Sequence, residues 1–274
     1  MLLAAERLFT KQKRLPARRP RMTYVLGMKC TDGLVLCADS MEGDGVNKRF
    51  MQKLHIAGSD GQWGLCWGCS GSGDVIRKFD SAVKGSLETR TAYDKEEIEE
   101  QIEACLKFVK ESYPPEDRIY LVAGLYGLSP DGMPEHWLYR GYSASTCLAP
   151  EKEFAAVGMD LTVSDFFLEN TYHSFAHVDY CERIGIVATA LMKRHAEGVD
   201  GPINVFSHRI NSPNWEPLLE HEVSAIEGQF PLSELDEAVG RFWMAHPGNA
   251  NVFREMESAQ IAKLLASQTS EPKP

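Results

Sequence analysis

Three side chains in the first quarter of the chain, Thr23, Asp39 and Lys53, could together activate a hydroxyl nucleophile. A threonine hydroxyl attacks only after a base takes its proton, and an N-terminal residue carries such a base in its α-amino group, with a pKa of about 8. Lys53 beside Thr23 would favour the deprotonated forms, and Asp39 would hold the ammonium in position. Gly71 could donate its backbone N–H to the oxyanion. This pattern predicts attack of an activated hydroxyl on a carbonyl carbon.

Two short predicted strands carry Thr23 and Asp39 at their outer ends. They flank Asp32-Gly33, a dipeptide typical of a tight hairpin turn. The turn Ser70-Gly71-Ser72-Gly73-Asp74 then leads into a predicted helix over 73–87. Apolar stretches predict the first four strands at 23–30, 33–39, 53–57 and 62–69.

The remaining sequence alternates helical and strand patterns. Asp94 is a typical N-cap residue, and apolar residues at helical spacing follow it until Pro114-Pro115. This order predicts an α+β fold, a four-layer αββα sandwich of two antiparallel sheets flanked by helices. We expect one domain over 23–266 and a disordered tail over 267–274. The later predicted elements are strands at 119–126, 135–142 and 203–206 and helices at 161–167, 178–195, 232–244 and 252–266.

The order threonine, aspartate, lysine and glycine turn resembles the proteasome β-type family of N-terminal nucleophile hydrolases, including its bacterial HslV and Anbu branches. The opening Met22-Thr23-Tyr24 looks most like Anbu. Thr23 and Asp39 are sixteen residues apart, as in the family, whereas Lys53 follows Asp39 by fourteen residues instead of the usual sixteen. The resemblance covers residues 22–79 well and the segments 121–124, 154–158 and 201–205 more weakly.

The resemblance implies a threonine-type endopeptidase or amidohydrolase that acts on peptides or proteins. In such an enzyme Thr23 attacks, Lys53 tunes its reactivity, Asp39 orients it and Gly71 binds the oxyanion. The resemblance also implies self-association into a ring or an open spiral that encloses the sites. It implies neither a cofactor nor a metal.

Two supporting positions depart from the family pattern. Gly158-Met159-Asp160 stands where the family has Gly-Ser-Gly, and Val199 stands in the place of a second serine. Glu197 is the candidate replacement for a carboxylate that the family carries in the same segment. These departures keep open an alternative, a catalytically weak or inactive proteasome-like subunit with a structural role in assembly. The helix that precedes the first strand in the family's α-type chains is disfavoured here by two prolines within 1–22.

Residues 1–22 are predicted to be a leader, a propeptide or sequence upstream of the true start. Residues 1–21 contain seven Arg or Lys, one Glu and two Pro, without a strand or helix pattern. An amide nitrogen cannot act as a base, so Thr23 needs a free amine. We favour Met22 as the true start, because trimming a methionine before a small threonine exposes the nucleophile.

The composition limits the classes of function. A formal net charge of −10 and a pI near 5.3 argue against a nucleic-acid-binding protein. No apolar run approaches the length of a membrane span, and a cytoplasmic location is the default expectation. Seven cysteines favour reduced, buried thiols, and the spacing of Cys66 and Cys69 is attributed to a strand core instead of a metal site. His173 and His177, four residues apart, are attributed to chance.

Overall fold

A computed structural model describes residues 23–43, 48–129, 131–158, 161–196 and 198–230. The predicted leader 1–22, the predicted helices at 232–244 and 252–266, the predicted tail 267–274, Met159 and the candidate site residue Glu197 lie outside the described residues.

Two antiparallel sheets form the centre of the described structure. Sheet A has the strand order β10-β1-β2-β11-β12, and sheet B has the order β5-β6-β7-β8-β9. Strands β3 and β4 form a separate hairpin. The strands are β1 (Val25–Cys30), β2 (Gly33–Asp39), β3 (Met41–Gly43), β4 (Lys48–Phe50), β5 (Leu54–Ser59), β6 (Trp63–Gly71), β7 (Ile119–Leu128), β8 (Pro134–Tyr142), β9 (Cys147–Glu151), β10 (Phe154–Val157), β11 (Ile203–Arg209) and β12 (Glu216–Pro217).

Helices cover the outer face of each sheet. The described α-helices are α1 (Gly73–Leu87), α2 (Lys95–Ser112), α3 (Thr162–Thr171), α4 (Val178–His195) and α5 (Glu220–Gln229). Helices α1 and α2 pack on sheet B through an apolar cluster that includes Trp67, Phe79 and Leu106. Helices α3 and α4 pack on sheet A, where Leu26 and Ile186 belong to one buried cluster. A third apolar cluster lies between the sheets, so the predicted four-layer αββα sandwich is confirmed.

The hairpin of β1 and β2 brings Thr23, just before β1, close to Asp39, at the end of β2. Its register pairs Val25 with Ala38, and β11 pairs Ile203 with Asp39 on the other side of β2. At the turn, a Cβ on Gly33 would lie 1.8 Å from the His208 carbonyl oxygen, so only glycine fits there. The start of β1, the end of β2 and the start of β11 therefore lie side by side at the same end of the strands of sheet A.

The first four predicted strands correspond to β1, β2, β5 and β6. These strands and α1, α2 and α4 form where the sequence predicts them, within one or two residues. Several short elements were not predicted: the β3–β4 hairpin, β9, β10, β12 and α5. Strand β9 is largely exposed and contains Pro150, and α5 buries Val223 alone, so both lack the apolar periodicity that a sequence pattern requires.

Candidate active site

Lys53 joins the two side chains that the sequence analysis paired with it. Its Nζ donates to Thr23 Oγ1 at 3.2 Å and to Asp39 Oδ2 at 2.8 Å. Lys53 lies just before β5, on the sheet opposite to the one that carries Asp39. Thr23 and Asp39 are 6% and 0% exposed, so the contact is nearly dry. The structure thus places a threonine hydroxyl and a buried carboxylate on one ammonium group.

The Asp39 carboxylate is held by backbone groups from three separate segments. Oδ1 accepts from the N–H of Tyr24 at 2.8 Å, and Oδ2 accepts from the N–H of Met41 at 3.1 Å. The N–H of Asp200, just before β11, is a longer third donor at 3.4 Å from Oδ2. These donors compensate for the loss of hydration and fix the direction in which the carboxylate meets Lys53.

Burial perturbs both members of the Lys53–Asp39 pair. Loss of hydration raises the pKa of Asp39, and the charge of Lys53 and the backbone donors counteract that rise. Loss of hydration lowers the pKa of Lys53, an effect that Asp39 opposes. Lys53 is therefore closer to its neutral form than a solvated lysine, and its ammonium gives up a proton more readily.

The backbone of Thr23 is clamped from two sides. Its carbonyl oxygen accepts a hydrogen bond from Ser70 Oγ at 3.2 Å. Gly158, with φ at +154°, packs against the same carbonyl, and a Cβ there would lie 2.6 Å from the oxygen. The next residue, Tyr24, is fully buried, and its hydroxyl bonds to the Ser164 hydroxyl. The position of Thr23 thus depends on sheet B and on the loop after β10.

Gly71 and Thr23 line the same cavity, which has a volume of about 90 Å³. Gly71 ends β6 with φ at +140°, and a Cβ would lie 2.5 Å from the Arg118 carbonyl oxygen, so a side chain there would force the turn to move. The cavity runs between Lys53 and His55 on one side and α1 on the other. The four residues Thr23, Asp39, Lys53 and Gly71, chosen from the sequence, therefore surround or support one pocket.

No family model and no curated protein matches the sequence of the chain. Solved structures do match it. Anbu, the ancestral β-subunit, from Yersinia bercovieri has a TM-score of 0.65 and 14% identity, over 82% of this chain and 98% of that chain. The chain has the Anbu fold. A Gly-1 mutant of Anbu from Hyphomicrobium sp. strain MC1 has a TM-score of 0.65 and 13% identity, over 82% of this chain and 97% of that chain. The helical assembly of the Anbu complex from Pseudomonas aeruginosa has a TM-score of 0.61 and 17% identity, over 80% of this chain and 96% of that chain.

The Anbu fold confirms the predicted fold class, and at these identities the likeness concerns the fold alone. The sequence analysis missed the contact that Asp200 makes with the site. Val199, which was aligned with a supporting serine, is buried in the apolar core on sheet A. The next residue, Asp200, donates to Asp39 through its backbone, and its own carboxylate accepts from the N–H of Gly201 at 2.7 Å. A register shifted by one residue would have aligned Asp200 with that serine.

Of the other motifs, the cysteine pair reaches this site through Cys69, which lines the cavity. Cys66 and Cys69 are free thiols buried in β6, and Cys147 is exposed, unlike the buried thiols that were expected. His177 contacts Thr31 and Asp32, and His173 lies against Tyr180. Across the described ranges, no cluster of three or more His, Cys, Asp or Glu side chains could hold a metal ion. None of the helices in that same part of the chain is long and apolar enough to cross a membrane.

Proposed function

We propose that this protein is a threonine hydrolase that cleaves peptide bonds, with Thr23 as the nucleophile once its amine is free. The observation that carries the proposal is the position of Lys53 Nζ, within hydrogen-bond distance of both Thr23 Oγ1 and Asp39 Oδ2. Thr23 also lines a cavity of about 90 Å³ together with Gly71, the proposed oxyanion donor.

In the proposed reaction, the free α-amine of Thr23 takes the hydroxyl proton while Oγ1 attacks the substrate carbonyl carbon. The positive charge of Lys53 stabilises the developing alkoxide, and Asp39 keeps that lysine in place. The Gly71 N–H donates to the oxyanion of the tetrahedral intermediate. The amine then returns the proton to the leaving nitrogen, and water hydrolyses the resulting ester by the reverse sequence of transfers.

Two roles in this scheme rest on residues beyond the described ranges. Residues 1–22 must be removed, because the Thr23 nitrogen is otherwise the amide of Met22. Glu197 is proposed to support the segment that ends at Asp200, the donor to Asp39.

The decisive experiment combines intact-mass measurement with covalent labelling. Purified protein is treated with a peptide electrophile that bonds to both the hydroxyl and the free amine of an N-terminal threonine. We expect one adduct per chain, mapped to Thr23, and none in Thr23→Ala. An active preparation in which Thr23 remains internal would refute the proposal. Assembled protein that begins at Thr23 and takes no label would favour the alternative, a subunit with a structural role.

We also propose that the protein self-associates into a ring or an open spiral. This proposal is supported by the fold, since the Anbu complex from Pseudomonas aeruginosa forms a helical assembly. Mass photometry at nanomolar and micromolar concentration tests it. Particles near the chain mass of 30.6 kDa at all concentrations would contradict self-association.

A further inference from the structure

The cavity beside Thr23 extends along one face of α1 to a buried carboxylate. Gly73, Ile76, Arg77 and Asp80 line it at helical spacing. Asp80 lies seven residues after Gly73, which corresponds to about 10 Å along a helix. Only a long substrate side chain that enters near Thr23 would reach that end.

Asp80 lines this cavity and is 7% exposed. One carboxylate oxygen accepts from Trp67 Nε1 at 2.8 Å, and the other lies 2.9 Å from His55 Nε2. Within the described residues, neither a lysine nor an arginine forms an ion pair with Asp80. A buried carboxylate held by an indole and an imidazole gains most from a full positive charge.

The cations of the cavity wall already have carboxylate partners. Lys53 is paired with Asp39, and the Arg77 guanidinium is paired with both Glu42 and Asp74. These pairs engage Lys53 and Arg77 with carboxylates other than Asp80. A positively charged ligand group would therefore meet Asp80 without having to displace a lysine or an arginine.

Apolar side chains also form part of the cavity wall. Met41, Met51, Cys69 and Ile76 are among its lining residues. Lysine and arginine side chains combine an apolar stem of three or four methylene groups with a charged end. The walls match such a stem, and Asp80 matches the charged end.

We infer that the cavity binds a lysine or arginine side chain of the substrate, with Asp80 as the residue that determines specificity. This inference rests on the proposed function, because it assigns the cavity to the substrate residue next to the bond that Thr23 attacks. His55 is the positioning residue that holds the Asp80 carboxylate in place, both when the cavity is empty and when it is filled.

The test measures binding without catalysis, so that it stands apart from the proposed function. Thr23→Ala protein is titrated with N-acetyl-arginine methylamide and with its neutral isostere N-acetyl-citrulline methylamide, followed by NMR. Asp80→Asn, made in the same background, preserves the shape and an acceptor for Trp67. Glu88→Gln is the matched control, since it removes the same charge from an exposed position at the C-terminal end of the same helix.

We expect the arginine ligand to bind more tightly than the citrulline ligand by roughly 10- to 100-fold, the usual worth of a hydrogen bond to a charged group. Asp80→Asn should abolish that preference, and Glu88→Gln should retain it. Equal binding of both ligands, binding of neither, or a preference that survives Asp80→Asn would overturn the inference. Tight binding of the arginine ligand to a protein that cleaves no arginine peptide would instead refute the proposed function.

Discussion

Removal of the Lys53 ammonium should destabilise the protein in a way that depends on pH. Nζ lies 2.8 Å from Asp39 Oδ2, and the two side chains are 11% and 0% exposed. Removing one partner of a buried ion pair typically costs about 3 to 5 kcal/mol. Asp39 would keep its donors from Tyr24 and Met41, so we expect Lys53→Met to lower the free energy of unfolding by about 3 kcal/mol at pH 7.5, the lower end of that range.

The loss should shrink as the pH falls. Burial already raises the pKa of Asp39, and Lys53 is the main group that opposes the rise, so the pKa in Lys53→Met is higher still. An acid whose pKa is raised by folding stabilises the folded state below its unfolded pKa of about 4, and this stabilisation disappears as the pH rises through the folded pKa. The variant should therefore approach the wild type as the pH is lowered through that window.

Urea unfolding from pH 8 to pH 4 measures the effect. Lys193→Met is the matched control, because Lys193 pairs with Glu227 on the partly exposed face of α4. Such surface pairs contribute about 0.2 to 1 kcal/mol. A loss in Lys53→Met no larger than in the control, or one that stays constant with pH, would refute the account of Asp39 as a buried charge.

Two further predictions concern Gly158, beside Thr23, and the His136–His208 pair, at the opposite end of β11 from the site. Gly158→Ala should lower the free energy of unfolding by about 1 to 3 kcal/mol and displace the Thr23 carbonyl, because the residue has φ at +154° and its new Cβ would lie 2.6 Å from that oxygen. Gly85→Ala, in the last turn of α1 with open space around it, should instead raise the free energy of unfolding by about 0.5 to 1 kcal/mol. Chemical denaturation that ranks the two variants the other way would contradict this reasoning. Burial lowers the pKa of His136 to about 4 and that of His208 to about 3, so the stability that these neutral rings confer is present above pH 6.5 and is lost as the pH falls. His136→Gln should flatten the decline of the free energy of unfolding between pH 6.5 and pH 4, and an unchanged slope would count against it.

The part of the site that the sequence predicts is the part that lies close together along the chain. The Asp32-Gly33 turn fixes the hairpin register, and that register sets Asp39 beside the start of β1. The turn containing Gly71 was equally predictable, since glycines at that spacing indicate a turn between a strand and a helix.

Contacts between segments that are distant in the sequence could not be predicted from it. The hydrogen bond from Asp200 to Asp39 joins residues 161 positions apart, and it depends on β11 pairing with β2. The clamp of Gly158 on Thr23 depends in the same way on β10 pairing with β1. The pair of Asp80 and His55 needs α1 to lie over β5, a packing contact that local spacing does not encode.

The convergence of three chain segments on one carboxylate also sets the order of events during synthesis. Asp39 reaches its final environment only when β11, which begins at Ile203, has paired with β2. A ribosome must therefore complete about three quarters of the polypeptide before the Asp39 carboxylate has all three of its backbone donors. Until then, the nascent chain holds Thr23, Asp39 and Lys53 without the contact that closes the fold around the carboxylate.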